Sequence, residues 1–363
     1  AEDTAALAYE HAEQHLRRAL TLVDRLPDGP ERVRGELAAQ EALGFVLLVT
    51  RGYSAPEVGH AVARAVELSR AAGDAPRLLV ATWRLLSFHI LRAEYGSTRR
   101  LATALLDHPD GAATAHRALG AVCFSEGDLP AARHHLERSI ALIDTSARDP
   151  AERAFEVHPA SFARDFLALD LWLTGETERA ATVMDAAVAT ARSLGHPFSE
   201  CFSRLFAATM AVFEDDRAGA RAQSGAAMDV AARLGYGLLH AMAAAITGWA
   251  DRDVDRMKAA LAAAGDAGAA QWRHFFLSLL AQVVWERGRP RSALKVLDAA
   301  LGHVEATGER FYEPELHRLR AGILLGESPD DAEEALRRAV AMARRQSSAM
   351  FLRRAEADLA RRR

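Results

Sequence analysis

Half of the 363 residues are hydrophobic, which excludes a disordered chain, yet the length exceeds the roughly 250–300 residues at which a single compact core stops growing. Lys and Arg number 45 against 49 Asp and Glu, a net charge of −4, so there is no overall basic field to draw the chain to nucleic acid or anionic lipid. Lys258 and Lys295 are the only lysines and asparagine is absent, so the arginine excess reads as a GC-rich coding bias and not as phosphate recognition.

The predicted elements are all helical. A lone helix over 8–25 carries Ala12, Leu16 and Ala19 on one face and stops at Leu26-Pro27-Asp28-Gly29-Pro30. A first helix pair follows over 30–72, with a turn inserted at Gly52-Tyr53-Ser54-Ala55-Pro56, and a second over 76–107 after Gly73-Asp74-Ala75-Pro76. Further pairs are expected over 110–143, 158–194, 197–234, 237–264, 268–305 and 313–345, broken at Gly195-His196-Pro197 and Gly288-Arg289-Pro290. A closing helix over 348–360, polar on its outer side, suits a cap. Gly past one helix end and Pro inside the next start is the usual punctuation, and breaks this short make neighbours antiparallel. Runs of strand length rich in β-branched residues are scarce. No apolar run nears the ~20 residues of a membrane span, and no signal-peptide pattern is present. The chain opens at Ala1, which suggests a piece of a larger polypeptide.

Self-comparison gives a frame. From Gly120, Cys123 lies at +3, Gly127 at +7, Ala132 at +12, Leu136 at +16 and Ser139 at +19. The spacing recurs from Ala168, with Leu171, Gly175, Ala180, Met184 and Ala187, and from Ala281, with Val284, Gly288, Ala293, Leu297 and Ala300. Weaker copies start at Ala208 and Ala245, with Asp215 and Arg252 at +7. Small residues at the origin and +12 let two helices cross closely, +7 turns the chain, and +16 is a knob directed at the next pair. Successive origins lie 36–48 residues apart, near the tetratricopeptide period of about 34. The expected fold is an all-α, right-handed superhelical solenoid of tetratricopeptide-like antiparallel helix pairs, a single repeat domain over 1–363.

Particular stretches resemble a known family. They are Leu26-Pro-Asp-Gly-Pro-Glu-Arg32 running into Glu36-Leu37, Thr50-Arg-Gly-Tyr-Ser-Ala-Pro-Glu-Val58, and Leu194-Gly-His-Pro-Phe198. The strongest are Thr307-Gly-Glu-Arg-Phe-Tyr-Glu-Pro-Glu-Leu-His-Arg-Leu-Arg320 and Ala335-Leu-Arg-Arg-Ala-Val-Ala-Met-Ala-Arg344. With these the chain resembles the C-terminal tetratricopeptide region of large bacterial signalling ATPases. In those proteins a class III nucleotidyl cyclase, winged-helix or LuxR-type domain precedes a STAND-like or AAA-type ATPase. The shortened turn Gly326-Glu-Ser-Pro329 departs from that pattern. The resemblance implies a non-catalytic sensor or interaction domain that relays binding to an upstream ATPase domain of the same polypeptide. Its motifs are scaffold motifs and name no ligand.

No phosphate-binding GxxxxGK[ST] loop, HExxH, CxxC or GxSxG is present. Cys123 and Cys201 sit in different helices and define neither a disulfide framework nor a metal site, which fits a reducing cytoplasm. His134-His135 project about 100° apart and read as solvated surface; His11 and His15 share a face but have no third ligand. Glu313, Glu315, His317 and Arg318 read as a charged helix start, and Arg361-Arg362-Arg363 as a solvated end. No metal and no cofactor is expected.

The feature above background is a stripe at +4: Phe124, Trp172, Val212, Trp249 and Trp285. Position −6 on the same face reads Thr114, Phe162, Phe202, Leu239 and Phe275, with Arg117, Asp165, Gln282 and Glu286 interleaved. The candidate partner groove is therefore Phe124, Phe162, Asp165, Trp172, Phe202, Trp249, Phe275, Gln282, Trp285 and Glu286. It would take a protein, a peptide or a small-molecule inducer. The alternative is that a tight superhelix buries these rings as core. Two other functional classes stand beside a sensor: a passive scaffold or oligomerisation module, and an enzyme with its site across the groove. Direct contact with nucleic acid or membrane is not expected.

Overall fold

The computed structural model describes residues 2–52, 55–108, 110–145 and 157–361. These form eighteen α-helices and, among the described residues, no strand. The helices are α1 (Glu2–Val23), α2 (Pro30–Arg51), α3 (Pro56–Ala72), α4 (Ala75–Leu91), α5 (Tyr95–Leu105), α6 (Ala112–Glu126), α7 (Leu129–Thr145), α8 (Pro159–Thr174) and α9 (Thr177–Ser193). The second half holds α10 (Pro197–Phe213), α11 (Arg217–Leu234), α12 (Gly237–Ala250), α13 (Val254–Asp266), α14 (Arg273–Glu286), α15 (Pro290–Thr307), α16 (Glu313–Leu324), α17 (Pro329–Arg345) and α18 (Ala349–Ala360). Asp74, Asp216 and Asp253 cap α4, α11 and α13 by accepting from the N–H groups of Arg77, Gly219 and Arg256, and Pro opens several of the others.

Each helix packs antiparallel on the next, and the even-numbered helices from α4 to α18 also pack side by side in one layer. That layer is the inner one. Helix α8 buries nearly every residue from Pro159 to Leu173, whereas α9 buries only Ala180, Met184, Ala187 and Ala191. The frame explains the pairing. A Cβ on Gly120 would lie 2.7 Å from the Leu136 side chain, so the +16 knob seats on the origin of its own pair. The sequence reading had directed that knob to the next pair.

Position +7 is left-handed in all five copies. Gly127, Gly175 and Gly288 have φ of 80°, 100° and 73°, and Asp215 and Arg252 adopt 57° with side chains attached. The same substitution should therefore act with opposite sign at two glycines. Gly175→Ala forces an L residue into this region and should cost about 1–2 kcal/mol. Gly302→Ala, on the exposed side of α15 with nothing near its Cβ direction, should gain up to about 1 kcal/mol of helix propensity. Urea unfolding of the two variants reads the difference.

The solenoid closes on itself after five pairs. Ala270 and Gln271, before α14, donate their N–H groups to the Leu91 carbonyl at the end of α4, at 2.8 and 3.0 Å. Arg310 and Phe311, before α16, donate likewise to the Ser125 carbonyl of α6, at 2.8 and 3.2 Å. The Ser348 hydroxyl, before α18, reaches the Leu173 carbonyl of α8 at 3.4 Å. The last carbonyls of a helix have no partner within it. Here the next superhelical turn supplies partners, each from an inner helix five places further on.

Candidate functional site

The closure fills the channel that the inner layer would otherwise line. Trp272, Phe311, Tyr312 and Phe351, all from the starts of α14, α16 and α18, occupy the axis and are buried. Phe124 packs on Phe166, Trp272 and Phe311 with ring centroids 5.5, 6.0 and 5.0 Å away. Trp172 lies against Phe213 and Phe351, and Phe275 against Phe213 and Tyr312. Trp249 is enclosed, its indole N–H donating to Gln282 Oε1 at 2.9 Å and the Arg217 guanidinium 4.4 Å above its ring. Of the residues expected along a groove, Phe124, Trp172, Trp249 and Phe275 are thus packed between layers and face no open surface. The superhelix is tight enough for its own next turn to cover them.

Asp165 is also enclosed. Its Oδ2 accepts from the Ser203 hydroxyl at 2.9 Å while Oδ1 has no partner. Burial pushes its carboxyl well above the usual carboxylate range. Trp285 is half-buried against Gly322, and Glu286 pairs with Arg217 and Arg252 at 2.6 and 3.0 Å. Gln282, Trp285 and Glu286 therefore form a separate, part-exposed polar edge.

Phe162 and Phe202 do line a void. Their rings stack at 5.5 Å, and Trp83 stands edge-on to Phe162 at 5.1 Å with the Arg117 guanidinium 3.6 Å from its ring. With Phe166, Phe198, Phe206, Leu238, Leu239, Met242 and Trp272 they enclose about 70 Å³ of almost wholly apolar space. Ser87, Leu91, Phe202 and Gln271 are its part-exposed lining residues. Drug-sized ligands occupy roughly 300–1,000 Å³, so this space fits one apolar side chain. A larger, open cleft of about 580 Å³, mostly apolar with a polar edge, lies between α3, α4 and α5, where Glu94 accepts from His89 and Arg92, each at 2.7 Å.

Other expectations resolve locally. Glu313 pairs with Arg310 and Glu315 with Arg318, both at 2.9 Å, so this group is a set of ion pairs at the start of α16. His134 and His135 are joined by His116 from α6, whose Nδ1 lies 2.8 Å from His135 Nδ1. Burial, then the neighbouring imidazoles, hold the His135 ring down at about 4; His134 is exposed, as solvated surface should be, whereas His135 is half-buried. Both thiols are free and buried, and burial pushes Cys201 up to about 12. Arg362 and Arg363, and the inserted turn residues Tyr53 and Ser54, lie outside the described residues. Among those, no helix is long and apolar enough to cross a membrane.

Sequence reasoning missed the residues that plug the axis, because they lie outside the repeat frame: Trp272, Phe311 and Tyr312 just precede their helices and Phe351 sits in the closing helix. One signal did mark two of them: the strongest family-like stretch, from Thr307 to Arg320, contains Phe311 and Tyr312.

No family model matches the chain. An uncharacterized protein of Rhizobium meliloti (strain 1021) is 25% identical over 370 residues, covering 98% of this chain. The chain spans only 36% of that relative's length. Among solved structures, the APC/C hetero-tetramer Cut9–Hcn1 matches with a TM-score of 0.58 at 15% identity, over 93% of this chain and 59% of the other. A Rap protein complexed with competence and sporulation factor matches with a TM-score of 0.54 at 13% identity, over 92% and 100%. At these identities the likeness is one of fold: an all-helical solenoid of the tetratricopeptide type.

Proposed function

We propose that this chain is a non-catalytic interaction domain that holds a partner protein or peptide by inserting one apolar side chain into the aromatic cavity around Phe162 and Phe202. The observation that carries the reading is the cavity itself, about 70 Å³ and lined almost entirely by aromatic and aliphatic groups. Its size favours an anchoring side chain over a small-molecule inducer. An anchor in a dry pocket commonly dominates such interfaces. The fold neighbours support it by analogy, since one is part of a hetero-tetramer and the other is complexed with a factor. We further read the domain as the cytoplasmic sensor of a larger signalling ATPase, on the family-like stretches and on the 36% share of its relative that it spans.

The test is panning of a phage-displayed random peptide library on the purified chain. Enriched peptides should share one bulky apolar residue. Phe202→Ala should weaken them about 30-fold, and Ser87→Trp, which fills the cavity from its rim, should do the same while both proteins melt as the parent does. No enrichment, or binding indifferent to both variants, would overturn the cavity as the anchor site. A passive scaffold is the second reading, favoured by the filled axis, and predicts that indifference.

A further inference from the structure

Away from the cavity, side chains from four elements converge on a buried point. Glu309, in the segment between α15 and α16, is fully enclosed. It accepts the hydroxyl of Tyr95, the first residue of α5, and the Trp272 N–H, which lies 3.0 and 2.8 Å from its two oxygens. Glu309 Oε2 is also 3.3 Å from His274 Nδ1, on the first turn of α14, and 3.2 Å from His303 Nε2, on α15. One donor atom from each of His274, His303 and Glu309 lies within 4.8 Å of the others, the only such group among the described residues.

Two observations go beyond a hydrogen-bond network. His274 is fully buried, yet neither ring nitrogen has a hydrogen-bond partner: its Nδ1 is near the carboxylate but not aligned to donate to it. An unsatisfied buried nitrogen is costly to leave that way. The separations are also longer than a charge-assisted N–H···O bond of about 2.7–2.9 Å. Two ligands each about 2.0–2.1 Å from a tetrahedral ion stand roughly 3.3–3.4 Å apart, which matches both contacts to Oε2.

We infer that His274, His303 and Glu309 bind a divalent metal ion, and that the ion is of the zinc class. Two imidazoles and one carboxylate suit a borderline transition ion, whereas magnesium and calcium select all-oxygen sites. Tyr95 and the Trp272 N–H orient the carboxylate from behind, as outer partners of metal ligands do. His303, with 12% of its side chain exposed, is the ligand nearest solvent and marks the way in. The ligands come from α14, α15 and the segment that docks on α6, and Tyr95 comes from α5. The ion therefore ties the docking segment before α16 to α14 and α15, Tyr95 alone joins this site to the first turn, and the binding energy adds to the folded state.

The test titrates chelator-stripped chain with cobalt(II), followed by visible absorption, and with zinc in competition with a chelating dye, followed by melting. One equivalent should bind with a tetrahedral cobalt spectrum, and zinc should raise the melting temperature by several degrees. Glu309→Gln also strips the acceptor from its donors, so His303→Ala, at the solvent edge, separates lost metal from lost folding. It should weaken zinc binding about 100-fold or more, since outer-partner changes alone cost about 10–100-fold. His135→Ala, in the histidine group of α6 and α7, should leave binding unchanged. Wild-type chain that shows neither the cobalt spectrum nor the zinc shift overturns the assignment and leaves a metal-free network. Equal affinity in His303→Ala, or loss in His135→Ala, also overturns it.

Discussion

Trp272→Ala is expected to lower unfolding stability by about 3–5 kcal/mol, at the upper end for a core truncation. The indole is 2% exposed and touches the rings of Phe124, Phe166, Phe206, Phe275 and Phe311, which come from α6, α8, α10, α14 and the start of α16. No nearby side chain can swing into the space, because each is already held by two or more neighbours. The loss should also open the ring, since Trp272 is where the second turn meets the first, and scattering should report a larger radius of gyration. Trp272→Phe should cost less than about 1.5 kcal/mol. It keeps an aromatic plug and removes an indole N–H that has no partner in the folded chain. Phe45→Ala, at a side chain 55% exposed, should stay within about 0.5 kcal/mol. Equal small losses in all three variants would mean that the axis is not load-carrying core.

The fold was legible because its repeat rests on local requirements that residue identity exposes. A left-handed +7 residue ends each inner helix, and Gly marks it in three copies. Asp215 and Arg252 take the same conformation without Gly, which is why those copies read as weak. The inward face was legible in part: Phe124, Trp172 and Phe275 pack on the rings that fill the axis, whereas Trp285 on the same stripe lies at a part-exposed edge. How open the axis is was not legible. The curvature of a solenoid accumulates from small rotations between pairs, and no single residue reports their sum. The groove reading of Phe124, Trp172, Trp249 and Phe275 depended on that sum. Phe162 and Phe202 lie on the same stripe and still border a void, because the plug from α14, α16 and α18 does not reach them fully. Side chains brought together from distant segments were invisible for the same reason. Tyr95 lies 214 residues from Glu309, and only the completed turn makes them neighbours.

Glu309→Gln, measured in metal-free buffer, should cost about 3–5 kcal/mol at neutral pH, the usual penalty for removing one member of a buried charged network. The amide takes away a charge that the Tyr95 hydroxyl, the Trp272 N–H and two imidazoles all face. It also turns one acceptor into a donor pointed at donors. The pH dependence gives an independent check. Burial pushes the Glu309 carboxyl up, but His274, His303 and Tyr95 more than offset this and hold it at about 2, below its ordinary 4.5. A depressed carboxylate contributes stability that is fully present above its unfolded pKa and is lost as pH falls through the folded one. A shift of this size corresponds to roughly 3 kcal/mol. The gap between wild type and Glu309→Gln should therefore stay level above about pH 5 and shrink steadily from about 4.5 toward 2. Tyr95→Phe removes a single donor and should cost only about 1–2 kcal/mol, with the same window. A gap that widened on acidification would mean that Glu309 is protonated in the folded chain. In that case the groups around Glu309 do not stabilise an ionised carboxylate, and the closure is held by its aromatic plug alone.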